Sequence, residues 1–366
     1  MEIRVDNVKG EVNYKKAIEE FGVTPIDEEL EKLKRVTNLD KLYRRGIIFA
    51  HRDLHAITDA IKNKKKFSVL TGVNPSGPLH FGNKLFVDQA KFFQNNGADV
   101  FIPISNDESY VFRKVKNIDD ATKNAYNIVI PELIALGLKK RKTHIFVSTR
   151  YRKIYELAVK LSTKITFSMI KAIFGFNNET SPGQIFYGVV QVAHILSPQL
   201  EEFGGPKPVV VPIGIDQDPY MRLARDIAVK SGFMKPSSTY HKFIRGLSGG
   251  KMSGSKPNNA IFLTDSPKIA EKKIMRAITG GGGSAEEQKK NGGNPDNCSV
   301  YDYLKMHLIE DDNKLKKIYD DCRSGRRLCG ECKKETAELM KKFLIKFDEK
   351  LERAKDQVDD YLIHER

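Results

Sequence analysis

The chain has 366 residues, 40% hydrophobic and 30% charged, which suffices for two or three domains with buried cores. No stretch approaches the roughly 18 consecutive apolar residues of a membrane helix, so a helical membrane span is excluded. The formal net charge of +15 suits a polyanionic partner such as nucleic acid and is silent about fold.

In chain order, Met1 to Asp6 mix both charge signs without an apolar secretory core, so a cytoplasmic location is expected. Residues 1–66 carry charged helical patterning with several breaks, ending in a lysine run at Lys62–Lys66, and read as an N-terminal extension. Phe67 to Gly72 read as a short buried strand, followed by a Pro/Gly turn and an amphipathic helix from Gly82 to about Gln94. Apolar runs at 100–104, 144–147 and 209–215, separated by helical stretches, predict a parallel α/β sheet. Residues 109–200 read as a largely helical insertion between its halves. Strand signals stop after Asp265, and Lys, Glu and Leu at helical spacing predict a separate α-helical domain over 265–366. Gly280 to Gly283 and Asn291 to Pro295 read as mobile loops, and no internal repeat is visible. Further basic runs lie at Lys139–Lys142 and along Arg323–Lys334.

Two segments suit phosphate chemistry. Pro75-Ser76-Gly77-Pro78-Leu79-His80-Phe81-Gly82-Asn83 leaves a strand and opens a helix, where an open α/β sheet takes its ligand. A helix N-terminus favours phosphate, Gly82 allows close backbone approach, and His80 can donate to a phosphate oxygen as charge develops. The second, Gly249-Gly250-Lys251-Met252-Ser253-Gly254-Ser255-Lys256, is a glycine-hinged loop with a point charge at Lys251 and hydroxyl donors at Ser253 and Ser255. Either alone reads equally well as an ordinary turn.

Together, in this order and context, they resemble the HIGH and KMSKS signatures of class I aminoacyl-tRNA synthetases. Longer runs narrow the resemblance to the archaeal and eukaryotic tryptophanyl-tRNA synthetases: Val211 to Tyr220, Lys251 to Asp265, Thr166 to Phe176, and Leu308 to Asp312. The similarity runs from about residue 40 to the C-terminus. It implies a Rossmann-like catalytic domain over 67–264 and an anticodon-binding domain over 265–366. It also implies a homodimer whose interface lies in the 109–200 insertion, with L-tryptophan, ATP, Mg²⁺ and tRNA(Trp) as substrates and partners.

By the same resemblance His80, Asn83, Lys251, Ser253 and Ser255 carry the catalysis, and Pro75, Ser76, Gly82 and Met252 line the ATP. Gly72, Glu108, Gln191, Asp216 and Gln217 match positions around the amino acid. The implied reaction is attack of the tryptophan carboxylate on the α-phosphorus of ATP, giving the adenylate and pyrophosphate, then acyl transfer to the terminal adenosine of the tRNA. Three positions depart from the eukaryotic-type pattern. Asn83 replaces the second histidine of HIGH, Leu70 stands where a tyrosine is usual, and Pro103 where a glutamine is usual. The last two would have met the indole N–H, and an indole N–H without an acceptor costs roughly 1–3 kcal/mol. His194 is the candidate replacement, because the aligned position in bacterial tryptophanyl and archaeal tyrosyl enzymes is an aspartate that accepts the ligand's polar ring group. A packed core histidine is the competing account.

All four cysteines, Cys298, Cys322, Cys329 and Cys332, fall in one region at the spacing Cys-x23-Cys-x6-Cys-x2-Cys. In a cytosolic chain, clustered cysteines point to metal, and four thiolates suit a [4Fe–4S] cluster or Zn²⁺. A subset of the tryptophanyl enzymes has nearly this spacing and holds a [4Fe–4S] cluster, which favours iron–sulfur and leaves zinc open. Two other functions remain at this stage: a tyrosyl-tRNA synthetase, and a degenerate paralogue that binds RNA without adenylation.

Overall fold

The computed structural model describes residues 2–4, 7–9 and 12–364; Met1, Val5 and Asp6 of the N-terminal stretch lie outside the described residues. A hairpin of β1 (Glu2–Arg4) and β2 (Asn7–Lys9) precedes a seven-stranded sheet. Its strands are β3 (Thr24–Pro25), β4 (Ile48–Arg52), β5 (Ser68–Leu70), β6 (Asp99–Ile104), β7 (Thr143–Val147), β8 (Val209–Gly214) and β9 (Ser237–His241). Spatial order is β3-β4-β9-β8-β5-β6-β7. The five strands from β9 to β7 run parallel, while β4 and β3 add an antiparallel edge. The parallel strands are largely buried, which is why β5, β6 and β8 read as continuous apolar runs.

Two features depart from the sequence reading. The segment taken as an extension supplies β3 and β4 to the seven-stranded sheet, and its Leu33, Leu42 and Ile48 enter the main core. Strand β9 escaped notice because four of its five residues are hydroxyl-bearing. Those hydroxyls are buried and satisfied: Ser237 donates to the Asp53 carbonyl, Ser238 to the Tyr240 hydroxyl and Thr239 to Gln89 Oε1. Strand β7 lies within the 109–200 stretch and pairs with β6 at the sheet edge, amid the helices Ile118–Asn124, Arg152–Ser162, Phe167–Phe174 and Pro182–Leu196.

Beyond His241 the described elements are helical. The 27-residue helix Cys329–Lys355 packs against the Pro267–Arg276 and Ile130–Ala135 helices. Its Phe343 ring lies 5.1 Å from Phe81 at the start of the Phe81–Asn95 helix, joining the helical lobe to the sheet in one core. No helix is long and apolar enough to cross a membrane among the described residues.

Candidate active site

From β5 the chain winds towards β6, and from neighbouring β8 it winds the other way towards β9. The carboxyl ends of β5 and β8 therefore flank the reversal point where open α/β sheets form a ligand crevice. Gly72 to Asn83 leave one end, and Asp216 and Gln217 leave the other in a tight turn.

His80 is the N-cap of the Phe81–Asn95 helix. Its Nδ1 accepts the Asn83 N–H at 3.3 Å, and Asn83 Oδ1 accepts the His80 N–H at 2.9 Å, a reciprocal box. Burial, reinforced by the Lys251 charge, lowers the His80 pKa to about 4, so the ring is neutral near pH 7. With Nδ1 accepting, the ring proton sits on Nε2, free of the cap. Gly82 is required by this ring, since a Cβ there would stand 2.8 Å from His80 Cε1. Residues 79–81 are also strapped to the segment after the lysine loop: His80 bridges Phe262, the Phe81 N–H donates to the Ile261 carbonyl at 3.1 Å, and the Leu263 N–H donates to the Leu79 carbonyl at 2.8 Å.

The lysine loop is a reversal rather than a slack tether. Gly249 and Gly250, at φ +91° and +68°, turn the chain so that Arg245 bridges Lys251. Met252 is buried beside Tyr303, while Gly254 to Lys256 are exposed. Lys251 Nζ lies 2.5 Å from Asp216 Oδ2 and 4.3 Å from the centre of the Phe243 ring. Ser253 and Ser255 hydroxyls meet at 2.9 Å. Gly254 passes over the histidine, where a Cβ would lie 3.6 Å from His80 Cδ2 and 4.0 Å from Nε2. Corner and loop thus face one crevice.

Three of the amino-acid candidates, Glu108, Gln191 and His194, are joined by contacts through Tyr187, while Asp216 is tied to Lys251. Tyr187 donates to Glu108 Oε2 at 3.0 Å and lies 2.9 Å from Gln191 Oε1, which also takes His194 Nδ1 at 3.3 Å. Both Gln191 and His194 ride on the Pro182–Leu196 helix, three residues apart and hence on one face. His194 is fully buried, its pKa lowered by burial to about 3, and its Nε2 meets the Ser148 hydroxyl at 2.9 Å. Both ring nitrogens are therefore engaged by protein, and His194 orients Gln191. Leu70 is buried behind it, and Pro103 packs against Gly72.

A family model described as tRNA synthetases class I (W and Y) matches residues 62–345. The tryptophan–tRNA ligase of Methanocaldococcus jannaschii is 47% identical over 94% of each chain, and that of Hyperthermus butylicus 43% identical over 96% of this chain and 95% of its own. The chain belongs to the tryptophan–tRNA ligase family. The crystal structure of the tryptophanyl-tRNA synthetase from Aeropyrum pernix superposes with a TM-score of 0.90 at 40% identity, over 97% of each chain. Kinship of this depth accounts for the two signatures lying in one crevice.

Sequence reasoning passed over Asn74. Its Oδ1 accepts the Ser109 hydroxyl at 2.5 Å, and its buried amide nitrogen has no partner among the described residues. An asparagine before Pro75 in a turn carries no signal beyond the turn itself.

Away from the crevice, Cys298, Cys322, Cys329 and Cys332 line one cavity. Burial and then the three neighbouring thiols push Cys322 up to about 11. Among the described residues no three His, Cys, Asp or Glu side chains are grouped to hold a single metal ion. Of the glycines read as mobile loops, Gly280, Gly281 and Gly293 are packed here. A Cβ on Gly281 would lie 2.5 Å from Cys329 Sγ, one on Gly293 2.8 Å from Cys322 Sγ, and one on Gly280 1.8 Å from the Asn294 carbonyl oxygen.

Proposed function

We propose that the chain activates L-tryptophan with ATP and loads it onto tRNA(Trp). The observation that carries this reading is the seating of the lysine loop over His80, with Gly254 above the ring and Lys251 tied to Asp216 at the end of β8. A triphosphate between them would meet the His80 Nε2–H on one side and Lys251, Ser253 and Ser255 on the other, with Mg²⁺ arriving as the nucleotide's counter-ion. The tryptophan carboxylate attacks the α-phosphorus, the adenylate forms and pyrophosphate leaves, with no covalent enzyme intermediate. Positioning and charge stabilisation supply the rate. Asn83 acts first as the cap partner of His80, which is compatible with losing the second histidine. Pro75, Ser76, Gly82 and Met252 shape the nucleotide side.

At the amino-acid end, Glu108, Gln191 and Asp216 supply acceptors for the ammonium, and Gly72 and Gln217 line the pocket. Amino-acid-dependent ATP–pyrophosphate exchange with a panel of amino acids is the test. Tryptophan alone should support it. Exchange with tyrosine would move the chain to the tyrosyl enzymes, and tRNA binding with no exchange at all would indicate the degenerate paralogue. The chain has no Trp, so bound ligand would be the only indole emitting at the red edge.

The finer assignments belong to the same proposal: a catalytic domain over 67–264 completed by β3 and β4 of the preceding segment, and an anticodon-reading lobe over 265–366, in a cytoplasmic homodimer. Exposed Tyr110, Phe167 and Phe186 in the 109–200 stretch supply apolar surface for its interface. The four cysteines suit a [4Fe–4S] cluster better than Zn²⁺. A tetrahedral zinc holds its sulfurs about 3.8 Å apart, close enough to group the thiols about one point, whereas a cluster spreads them around a cavity. Gly281 and Gly293 leave the sulfurs the room that a Cβ would fill. Such a cluster would supply structural and charge support beside Arg323, Arg326 and Arg327. Broad visible absorption near 400 nm with stoichiometric iron supports it; zinc without iron after anaerobic preparation rejects it.

A further inference from the structure

Glu132 is a buried carboxyl with only part of its hydrogen-bonding capacity met. It lies on the helix Ile130–Ala135, whose residues are all buried, and is itself 0% exposed. A π-turn over Ala125–Val129 leads into that helix at Pro131, which has no N–H to continue the ladder. The carboxyl has one partner: Oε2 accepts the Leu79 N–H at 2.7 Å, while Oε1 is buried with none among the described residues. A charge or a half-satisfied acid in such a place costs stability, whereas a leucine there would leave the Leu79 N–H buried without this acceptor. What the carboxyl provides is an acceptor for that amide.

Leu79 immediately precedes His80. On one edge the strap 79–81 is paired with residues 261–263, which follow the lysine loop. On the other edge the Leu79 N–H is held by Glu132. Resting on the ligase reading above, we propose that Glu132 is a positioning residue for the adenylation step, fixing through the Leu79 amide where His80 stands against the phosphates. The Ile130–Ala135 helix also packs on the Cys329–Lys355 helix, so the strap is braced from the helical lobe.

Burial raises the Glu132 pKa from 4.5 to about 8, opposed by the Leu79 N–H. From the elements packed on its helix, namely the π-turn, the Cys329–Lys355 helix and the turn Val358–Tyr361, no ionised side chain acts on it. His80, the titratable side chain of the strap, is already neutral above about pH 4. Near pH 7 Glu132 is thus a neutral acid accepting one N–H. The folded state binds the proton more tightly than the unfolded chain, so this group's contribution is full below pH 4.5 and is lost as pH rises towards 8.

Tryptophan-dependent exchange is measured for wild type, E132A, E132Q, H80A and the E132A/H80A double variant. E132A should lose about tenfold in kcat with the KM for tryptophan within about twofold, and E132Q, which keeps a neutral acceptor, should stay within about threefold. The double variant should lose no more than H80A alone, because Glu132 acts through the histidine. Additive losses, or an unchanged kcat in E132A beside a lowered Tm, overturn the assignment. Should E132A not fold, a tenfold loss of kcat in a folded E132Q, which keeps an acceptor for the Leu79 N–H, overturns it. Wild type inert with every amino acid overturns the ligase reading and this inference with it, while active wild type with additive losses overturns this inference alone.

Discussion

His80 is held by its own helix and by a β-bridge: its ring accepts an N–H from Asn83, Gly82 makes room for it, and Phe262 pairs alongside. Lys251 is held by one carboxylate and one aromatic face, on a loop turned by two glycines in left-handed conformation. The first arrangement offers a ligand nothing to displace. The second consists of contacts that a phosphate can replace in kind, an anion for an anion. The difference teaches where the site is preorganised and where it responds to binding. A loop moves towards ATP only by the difference between its phosphate contacts and the Asp216 pair.

Removing either side chain should break the comparison most visibly. His80→Ala and Lys251→Ala are each expected to lower kcat for pyrophosphate exchange by about 100-fold to 1000-fold, with tryptophan binding little altered. Only Lys251→Ala should also weaken ATP binding, because its contact is remade on the nucleotide. Equal ATP constants in both variants would erase the distinction between fixed and responsive halves. At the amino-acid end, Gln191→Ala should raise the KM for tryptophan by about tenfold or more and His194→Ala by less, each with the KM for ATP unchanged. A larger effect from His194→Ala would mean that the ring meets the indole directly. These buried histidines also set an acid limit. The folded pKa values of His80, His194 and His241 are lowered to about 4, 3 and 3, so their neutral forms favour folding above pH 6.5 and lose that advantage as pH falls towards 4. Tm against pH should drop through this window, less steeply for a His194→Gln variant.

The halves of the site also differed in how far the sequence disclosed them. His80 and Lys251 could be placed because each lies in a short contiguous motif, and the two motifs in this order and context carry the resemblance that neither carries alone. Their neighbours could not. Tyr187, Ser148 and Asn74 act through contacts between segments far apart in the chain, and nothing local marks a tyrosine that donates to Glu108. The same holds for the sheet. Apolar runs revealed β5, β6, β7 and β8, but β9 buries its hydroxyls on partners as distant as Gln89 and Asp53, so its polarity looked like a loop. Gly280, Gly281, Gly292 and Gly293 looked mobile for the converse reason, since the crowding that requires them comes from Asn294, Cys329, Arg323 and Cys322.

Two glycine substitutions sharpen the contrast at about tenfold. Gly82→Ala places a methyl 2.8 Å from His80 Cε1 and must displace the ring, so kcat should fall by about tenfold. Gly254→Ala meets the same ring at an ordinary 3.6 Å, so the resting loop should accept it and Tm should be unmoved. A matching loss in both variants would show that the loop, too, is fixed in place.

The smallest effect separates the two roles open to Asn83. As a cap partner it accepts the His80 N–H, and Asn83→Ala should cost about 1 kcal/mol, a lowered Tm of a few degrees. Aspartate at the same position keeps that acceptor and adds a negative charge that a helix N-terminus favours, so Asn83→Asp should restore the Tm. It would also set a carboxylate where the triphosphate is expected, raising the KM for ATP while leaving that for tryptophan alone. If Asn83→Asp instead recovers both stability and ATP affinity, Asn83 serves the histidine only and no phosphate oxygen approaches it. If it recovers neither, the box owes more to the amide's shape than to its acceptor, and His80 is held chiefly by the Phe262 bridge.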